Sequence, residues 1–370
     1  MLKHSEVAAY LLQRRLIDAS TIVAGELRIE DVSRRNSVFK VIGRDSPCYL
    51  LKQGVGPEGA ATVAHEAAVY QLLRSSDADN RLARYLPGYY GYDAQEQLLT
   101  LELLRDAQDL RVYHARRGRI SARLAAALGD ALAILHQLSV PADGWDTAGG
   151  RFVGQPPWIL ASGCPDHTLL IDLSSAGLQL LRMIQQSDVF CQDLDALRQG
   201  WRAETLIHQD IKWENCIVVP QPASARSLLK IVDWELANLG DPCWDVGALF
   251  GDYLGSWLLS IPFAGDGPPD QFIDLARYPL NRMQPAIRSA WQAYARRMKL
   301  EAATAAQWLL RVVRYTAARL IQTAFEHAQT ATFLAGNIAG LLQLSFNILR
   351  RPHEALVHLL GIPVSPMSLQ

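Results

Sequence analysis

His208, Asp210, Lys212 and Asn215 fall in one short stretch, Ile207-His208-Gln209-Asp210-Ile211-Lys212-Trp213-Glu214-Asn215-Cys216-Ile217-Val218. A second stretch, Ile231-Val232-Asp233-Trp234-Glu235, follows a short way downstream. An Asp, an Asn five residues on and another Asp closing an apolar run make the set that phosphoryl transfer needs. One carboxylate accepts a hydroxyl proton, while an amide and a second carboxylate hold magnesium. Asp210 is read as the proton acceptor. Asn215 and Asp233 are read as ligands of Mg²⁺, which prefers hard oxygen donors and would share them with nucleotide phosphates. His208 is read as structural, holding the loop by hydrogen bonds. The competing reading makes Asp210, Asn215 and Asp233 loop caps in an unrelated α/β protein.

Those residues need elements to position them. The apolar pairs and runs Leu206-Ile207 and Cys216 to Val219 predict buried strands bracketing a loop that presents Asp210. Upstream, residues 5 to 16 carry Val7, Tyr10, Leu11 and Leu12 at helical spacing. Strand-like segments follow at Glu26 to Asp31, Val38 to Ile42 and Cys48 to Lys52, separated by polar Ser33 to Ser37 and a turn from Gly43 to Pro47. They predict an antiparallel meander. A helix from Ala64 to Arg74 puts Glu66 on one face with Val69, Tyr70 and Leu73, so its carboxylate points inward. A buried carboxylate is costly unless paired. Lys52 is the natural partner; Glu58, in a Gly/Pro loop, is the competitor.

Leu98 to Leu104 reads as a buried strand that breaks into polar Arg105 to Asp109, which places a boundary near residue 105, with one lobe over 1–104 and another over 105–370. The second is mostly helical. Ser121 is a plausible N-cap for a helix with Leu124, Leu128, Leu132, Leu135 and Leu138 on one face, and His136 is read as a packing residue at its end. Residues 141 to 167, with Trp145, Trp158 and Pro156-Pro157, read as an irregular insertion. Helical patterns return at Ser175 to Gln185, at Asp193 to Trp201 and beyond Pro285, where Ile287, Trp291, Tyr294 and Met298 form a stripe, and continue to about residue 350.

The bulk composition narrows the function classes. A chain of 370 residues has room for two domains of ordinary size, and 49% hydrophobic with 20% charged residues is a globular composition. Lys+Arg 36 against Asp+Glu 37 gives no reason to expect nucleic acid as a partner. Five scattered cysteines without a C-x-x-C pair argue for a reducing, cytoplasmic setting and against a disulfide framework or a zinc site. The charged N-terminus does not read as a signal peptide. Ala328 to Leu349 lacks charge and is long enough to span a bilayer, with Gly336 and Gly340 in G-x-x-x-G spacing. Gln329, Asn337, Gln343, Ser345 and Asn347 interrupt it, so it is read as a buried helix and no membrane span is expected.

His208, Asp210 and Asn215 match the H-x-D-x-x-x-x-N of the kinase catalytic loop at all three fixed positions. Asp233-Trp234-Glu235, then Gly240-Asp241-Pro242 and Trp244-Asp245-Val246-Gly247, resembles the aminoglycoside phosphotransferase and choline kinase group. That group has D-W-E or D-x-D where protein kinases have D-F-G, followed by G-D-P-x-x-D. The resemblance runs from about residue 20 to residue 350. It implies an α+β, protein-kinase-like bilobal fold with a small antiparallel-sheet N-lobe carrying one helix and a larger, mostly helical C-lobe. It further implies ATP and Mg²⁺, with Asp210 as base, Asn215 and Asp233 as metal ligands, and Lys52 and Glu66 as the phosphate-binding pair. The backbone of Glu102 to Leu104 would bind adenine. The segment Ser33 to Ser37 has no glycine, unlike a glycine-rich phosphate cover, so the polar groups of Asn36 and Ser37, with Arg34 or Arg35, would have to reach the phosphates. Glu235 would be a further metal or substrate contact, while Asp241 and Asp245 would cap and anchor the following helix.

The acceptor stays open. Lys212 matches the D-[LI]-K-x-x-N of Ser/Thr protein kinases, where the lysine steadies the γ-phosphate and the substrate hydroxyl. Residues 231 to 276 hold eight acids and no base, which would suit a cationic acceptor if they formed a wall, or would simply be solvated caps. The leading reading is transfer of the ATP γ-phosphate to a hydroxylated small molecule. The alternatives are a Ser/Thr-containing peptide or protein acceptor, such as a precursor later dehydrated by a partner lyase, and a silent nucleotide-binding scaffold.

Overall fold

Burial alternates strictly along Ser37–Gly43, with Phe39 and Val41 inward and Val38 and Lys40 half-exposed, as a strand with one covered face requires. The computed structural model of the chain describes residues 2–44, 47–139, 152–163, 173–221, 227–262, 272–329 and 331–363. Trp145, Cys164, Asp266, Asp270 and most of the 141–167 segment lie outside these. The chain divides into two compact units, one of Met1–Leu110, Leu138–Phe152 and Glu214–Ala237, the other of Arg111–Gln137, Val153–Trp213 and Asn238–Gln370.

In the first unit, β1 (Leu27–Asp31), β2 (Ser37–Gly43), β3 (Tyr49–Gln53), β4 (Tyr89–Asp93) and β5 (Leu98–Glu102) form a five-stranded antiparallel sheet in the order β1-β2-β3-β5-β4. Phe39, Val41, Tyr49, Leu51 and Leu98 pack against Val7, Leu11 and Ile17, which come from α1 (Val7–Gln13) and the turn before α2 (Ala19–Val23). The register sets Lys52 between Val38 and Leu99 in the middle of the sheet. The next helix, α3 (Gly56–Ser76), starts eight residues before the expected Ala64, with Pro57 in its first turn, where a missing N–H costs nothing. Gly54 allows the early start, since a Cβ there would lie 2.4 Å from the Ala60 Cα. The polar-looking Tyr89–Asp93 segment is a strand that alternation does not reveal, because a bulge between Tyr89 and Gly91 shifts its register. A second small sheet joins β6 (Gln108–Asp109), β8 (Cys216–Val219) and β9 (Leu228–Ile231).

Among the described residues the second unit's regular structure is helical apart from β7 (Thr205–Ile207) paired with β10 (Asn238–Gly240). Its helices are α4 (Leu110–Arg117, in this unit from Arg111), α5 (Ala122–His136), α6 (Ser175–Gln185), α7 (Asp188–Gln199), α8 (Pro242–Leu259), α9 (Leu280–Met298), α10 (Ala302–Ala328), α11 (Gly336–Arg350) and α12 (Pro352–His358). Ser121 caps α5, its side chain accepting from Leu124 N at 3.3 Å. Helix α7 begins at Asp188 rather than Asp193, because Ser187 caps it. Helix α9 begins before Pro285, which sits early enough in the helix to remove a single ladder bond. The uncharged Ala328 to Leu349 stretch is not one helix: α10 ends at Ala328 and α11 starts at Gly336. Among the described residues no helix is long and apolar enough to cross a membrane. Cys48, Cys191, Cys216 and Cys243 are all outside disulfides.

Candidate active site

In the first unit, β3 and α3 bring Lys52 and Glu66 together, with Nζ 2.8 Å from Oε2. The same Nζ lies 3.2 Å from Asp233 Oδ1 and 2.8 Å from Glu235 Oε2. The D-W-E tripeptide achieves this through Trp234. That ring is fully buried, and its Nε1 donates to Ile231 O at 3.1 Å, so the flanking acids project away from the anchor. Asp233 adopts φ 67°, a left-handed conformation that a short polar residue tolerates best among those with a Cβ. Carboxylate oxygens of Glu66, Asp233 and Glu235 all lie within 4.8 Å of one another.

Three carboxylates around one ammonium leave an excess of negative charge. Burial alone would lower the Lys52 pKa, but Glu66, Asp233 and Glu235 outweigh it and hold the ammonium above its ordinary range. Burial raises the Glu66 carboxyl despite the opposing Lys52 charge. A hard divalent cation fits this donor set, and Asp233 carries its side chain 39% exposed, accessible to one.

A cavity of about 390 Å³ adjoins the cluster and is lined by Leu50, Leu101 and Ile217 on the strands and by Lys52, Asn215 and Asp233 at its polar end. Asn215 is buried, and its carbonyl accepts from Val232 N at 3.0 Å, which ties the residue to the segment leading into Asp233. Glu102 and Leu104 line the same cavity. Glu102 N donates to Gly88 O and Leu103 N to Cys48 O, whereas among the described residues no bond takes Leu104 N–H. Asn36 and Ser37 are buried but are not among the residues lining this cavity; Asn36 Oδ1 sits against Gly59 at the start of α3. Glu58 is exposed in the first turn of α3 rather than in a loop, and Lys52 pairs elsewhere.

In the second unit the loop after β7 is held by backbone donors on buried acids. His208 N and Gln209 N donate to Asp245 at 2.7 and 2.9 Å, Trp213 N donates to Asp252 at 2.6 Å, and Trp244 Nε1 donates to Gln209 O at 2.9 Å. His208 Nδ1 accepts from Asp210 N at 3.3 Å, the structural role read from its type. His136 packs on Tyr294 and also reaches Asp245 at 3.3 Å. Asp241 does cap α8, accepting from Cys243 N at 3.0 Å, and it also binds Tyr315 and Arg311. Asp245 departs from the cap-and-anchor expectation: its carboxylate anchors the Asp210 loop instead. With Asp241, Asp245 and Asp252 buried and hydrogen-bonded, these three acids face inward partners and form no wall toward an acceptor.

Asp210 itself is buried between two cations. Lys212 Nζ is 2.5 Å from Oδ2, and Arg319 of α10 is 3.5 Å from Oδ1. Burial would lower the Lys212 pKa, but the Asp210 charge outweighs it and raises it. Sequence reasoning did not single out Arg319. Its signal was available: it shares the buried helical face of Val312, Thr316 and Thr323, where an arginine needs a reason.

Residues 29–270 match the model of the phosphotransferase enzyme family (APH), and the chain belongs to that family. Its fold is the protein-kinase-like one, with an antiparallel N-terminal sheet followed by a mostly helical remainder. Among solved structures, a choline kinase from Cryptosporidium parvum is similar at 12% identity, covering 96% of this chain and 98% of that one with a TM-score of 0.56. An ethanolamine kinase from Plasmodium vivax is similar at 11% identity, over 94% and 88%, with a TM-score of 0.55. A putative aminoglycoside phosphotransferase from Ralstonia eutropha is similar at 15% identity, over 94% and 96%, with a TM-score of 0.51. No curated protein matches the sequence significantly.

Proposed function

We propose that this phosphotransferase moves the γ-phosphate of ATP to the hydroxyl of a small molecule. The observation that carries the reading is the convergence of Lys52, Glu66 and Asp233 at the polar end of a cavity with apolar walls. Those walls suit a planar base, and the Leu104 N–H, which no bond takes among the described residues, is the donor expected to meet it. Lys52, fixed by Glu66, supplies a donor to phosphate oxygens. Asn215 and Asp233 would hold Mg²⁺, whose chemistry here is to neutralise charge on the phosphates.

Asp210 takes the proton of the acceptor hydroxyl as the new O–P bond forms. The bond between the γ-phosphorus and the bridging oxygen breaks, and ADP leaves with that oxygen. Lys212 lies beside Asp210, where its charge can steady the transferring group. On this reading residues 1–104 form the nucleotide lobe and 105–370 the acceptor lobe, with Asn215 and Asp233 supplied from the later chain. Choline and ethanolamine, the alcohols named for two of the structural neighbours, define the size of acceptor in view. The alternative of a Ser/Thr-containing peptide acceptor rests on Lys212 alone, and most of the 141–167 segment lies outside the described residues.

Two measurements test this. Thermal unfolding with Mg·ATP should rise by several degrees, as binding to the native state requires. Incubation with γ-labelled ATP and a panel of amino alcohols, sugars and peptides should then label a small molecule. An unchanged melting point with Mg·ATP would overturn the phosphotransferase reading, and label confined to peptides would overturn the acceptor class.

A further inference from the structure

Arg319 lies 2% exposed in α10, and its guanidinium bridges two acids. Nη1 is 3.5 Å from Asp210 Oδ1 and 3.1 Å from Glu326 Oε1, and Nη2 is 3.5 Å from Glu326 Oε2. A buried arginine is costly unless its charge is met, and here it is met on both sides. With Lys212 on Oδ2, each oxygen of the Asp210 carboxylate has its own cation.

The path of this side chain depends on one glycine. Helix α8 passes α10 at Gly251, where a Cβ would stand 2.8 Å from Arg319 Cγ and 2.9 Å from Arg319 Cβ. These are the near atoms of the side chain, so they cannot swing aside without moving the guanidinium or the helix. Gly251 immediately precedes Asp252, whose carboxylate holds Trp213 N at the far end of the same loop.

We infer that Arg319, admitted by Gly251 and braced by Glu326, is a positioning residue that fixes the orientation of the Asp210 carboxylate. The inference rests on the phosphotransferase reading above. Lys212 is partly exposed and, on that reading, turns toward the transferring phosphoryl group. Asp210 then needs a second cation that does not move. Arg319 is buried and doubly paired, so it supplies one. Held on one oxygen, the carboxylate keeps its other oxygen aimed at the hydroxyl proton.

The test uses the full-length protein with Mg·ATP and water as the acceptor, which needs no knowledge of the physiological alcohol. Arg319→Met should lower kcat about 100-fold, the loss expected when a reacting group is misplaced by an ångström, with the KM for ATP within about twofold. Arg319→Lys should recover part of the loss. Gly251→Ala should lower kcat about 10-fold by displacing the side chain, yet on the Arg319→Met background it should cost less than about twofold, because both changes act through one contact. Circular dichroism and Mg·ATP affinity check that each variant is folded, and Arg319→Lys and Gly251→Ala decide the matter if Arg319→Met does not fold. Wild-type kcat in Arg319→Met, or fully additive losses in the double variant, overturns the inference. Absence of ATP binding and hydrolysis in the wild type would overturn the phosphotransferase reading and the inference with it, a failure recognisable because it needs no variant.

Discussion

Lys52→Met removes the cation that pairs with Glu66, Asp233 and Glu235 and leaves three carboxylates within 4.8 Å of one another. The Glu66 side chain is 2% exposed, so most of the cost falls there; Asp233 and Glu235, at 39% and 22%, are screened by water. Breaking a buried pair by deleting one partner costs about 3–5 kcal/mol. At about 2–4 °C per kcal/mol for a unit of this size, the melting temperature should fall by roughly 10 °C at pH 8. The penalty should depend on pH in a definite direction. Burial raises the Glu66 pKa even with Lys52 present, and losing Lys52 raises it further. A carboxyl with a raised folded-state pKa contributes stability that is complete below its unfolded value near 4.5 and is lost as pH rises through the folded value. Lowering the pH from 8 to 5.5 should therefore return stability to the variant relative to the wild type. Millimolar Mg²⁺ should also stabilise the variant more than the wild type, since the cluster lacks its cation. Thermal unfolding by circular dichroism at both pH values, with and without Mg²⁺, reads all of this. A variant melting within about 2 °C of the wild type at both pH values would refute the charge argument.

Three further outcomes follow from the same geometry. Asp245→Ala strands the buried N–H of His208 and the part-buried N–H of Gln209, which should cost about 2–5 kcal/mol in stability and lower turnover by loosening the Asp210 loop, read by denaturant melts and ATP turnover. Burial pushes the His114 pKa down to about 4, and its Nε2 accepts from Ser121 N. A depressed pKa gives stability that is present above the unfolded value near 6.5 and lost as pH falls toward 4, so wild-type stability should drop by up to about 3 kcal/mol more than that of His114→Gln over that interval. Asp241→Asn should weaken the α8 start, where Tyr315 and Arg311 also converge, and lower the melting temperature by several degrees without changing the KM for ATP.

Short-range signals carried much of this site. Glu66 was legible as an inward acid because helical spacing placed it among Val69, Tyr70 and Leu73, and Lys52 because it closes a strand with an apolar pattern. Fixed spacing brought out Asp210, Asn215 and Asp233 as candidates. What was not legible depended on distant pairing. Arg319 lies more than a hundred residues from Asp210, and no local pattern ties an arginine in one helix to a loop acid. Asp245 looked like a helix-start charge because the first turn of α8 favours acids whatever they bind. The early start of α3 was hidden by Gly54, Gly56 and Gly59, which read as a loop; the missing Cβ atoms of Gly54 and Gly59 admit close neighbours, while Gly56 takes a positive φ. The bulged β4 has no alternation to read.

On the proposed function, Asp210 is the base of the phosphoryl transfer. Asp210→Asn keeps the shape of the side chain and removes its capacity to take a proton. Mg·ATP affinity by calorimetry should be unchanged and kcat should fall about 100- to 10,000-fold, the range general-base catalysis supplies. Phosphoryl transfer by Asp210→Asn at the wild-type rate would contradict it.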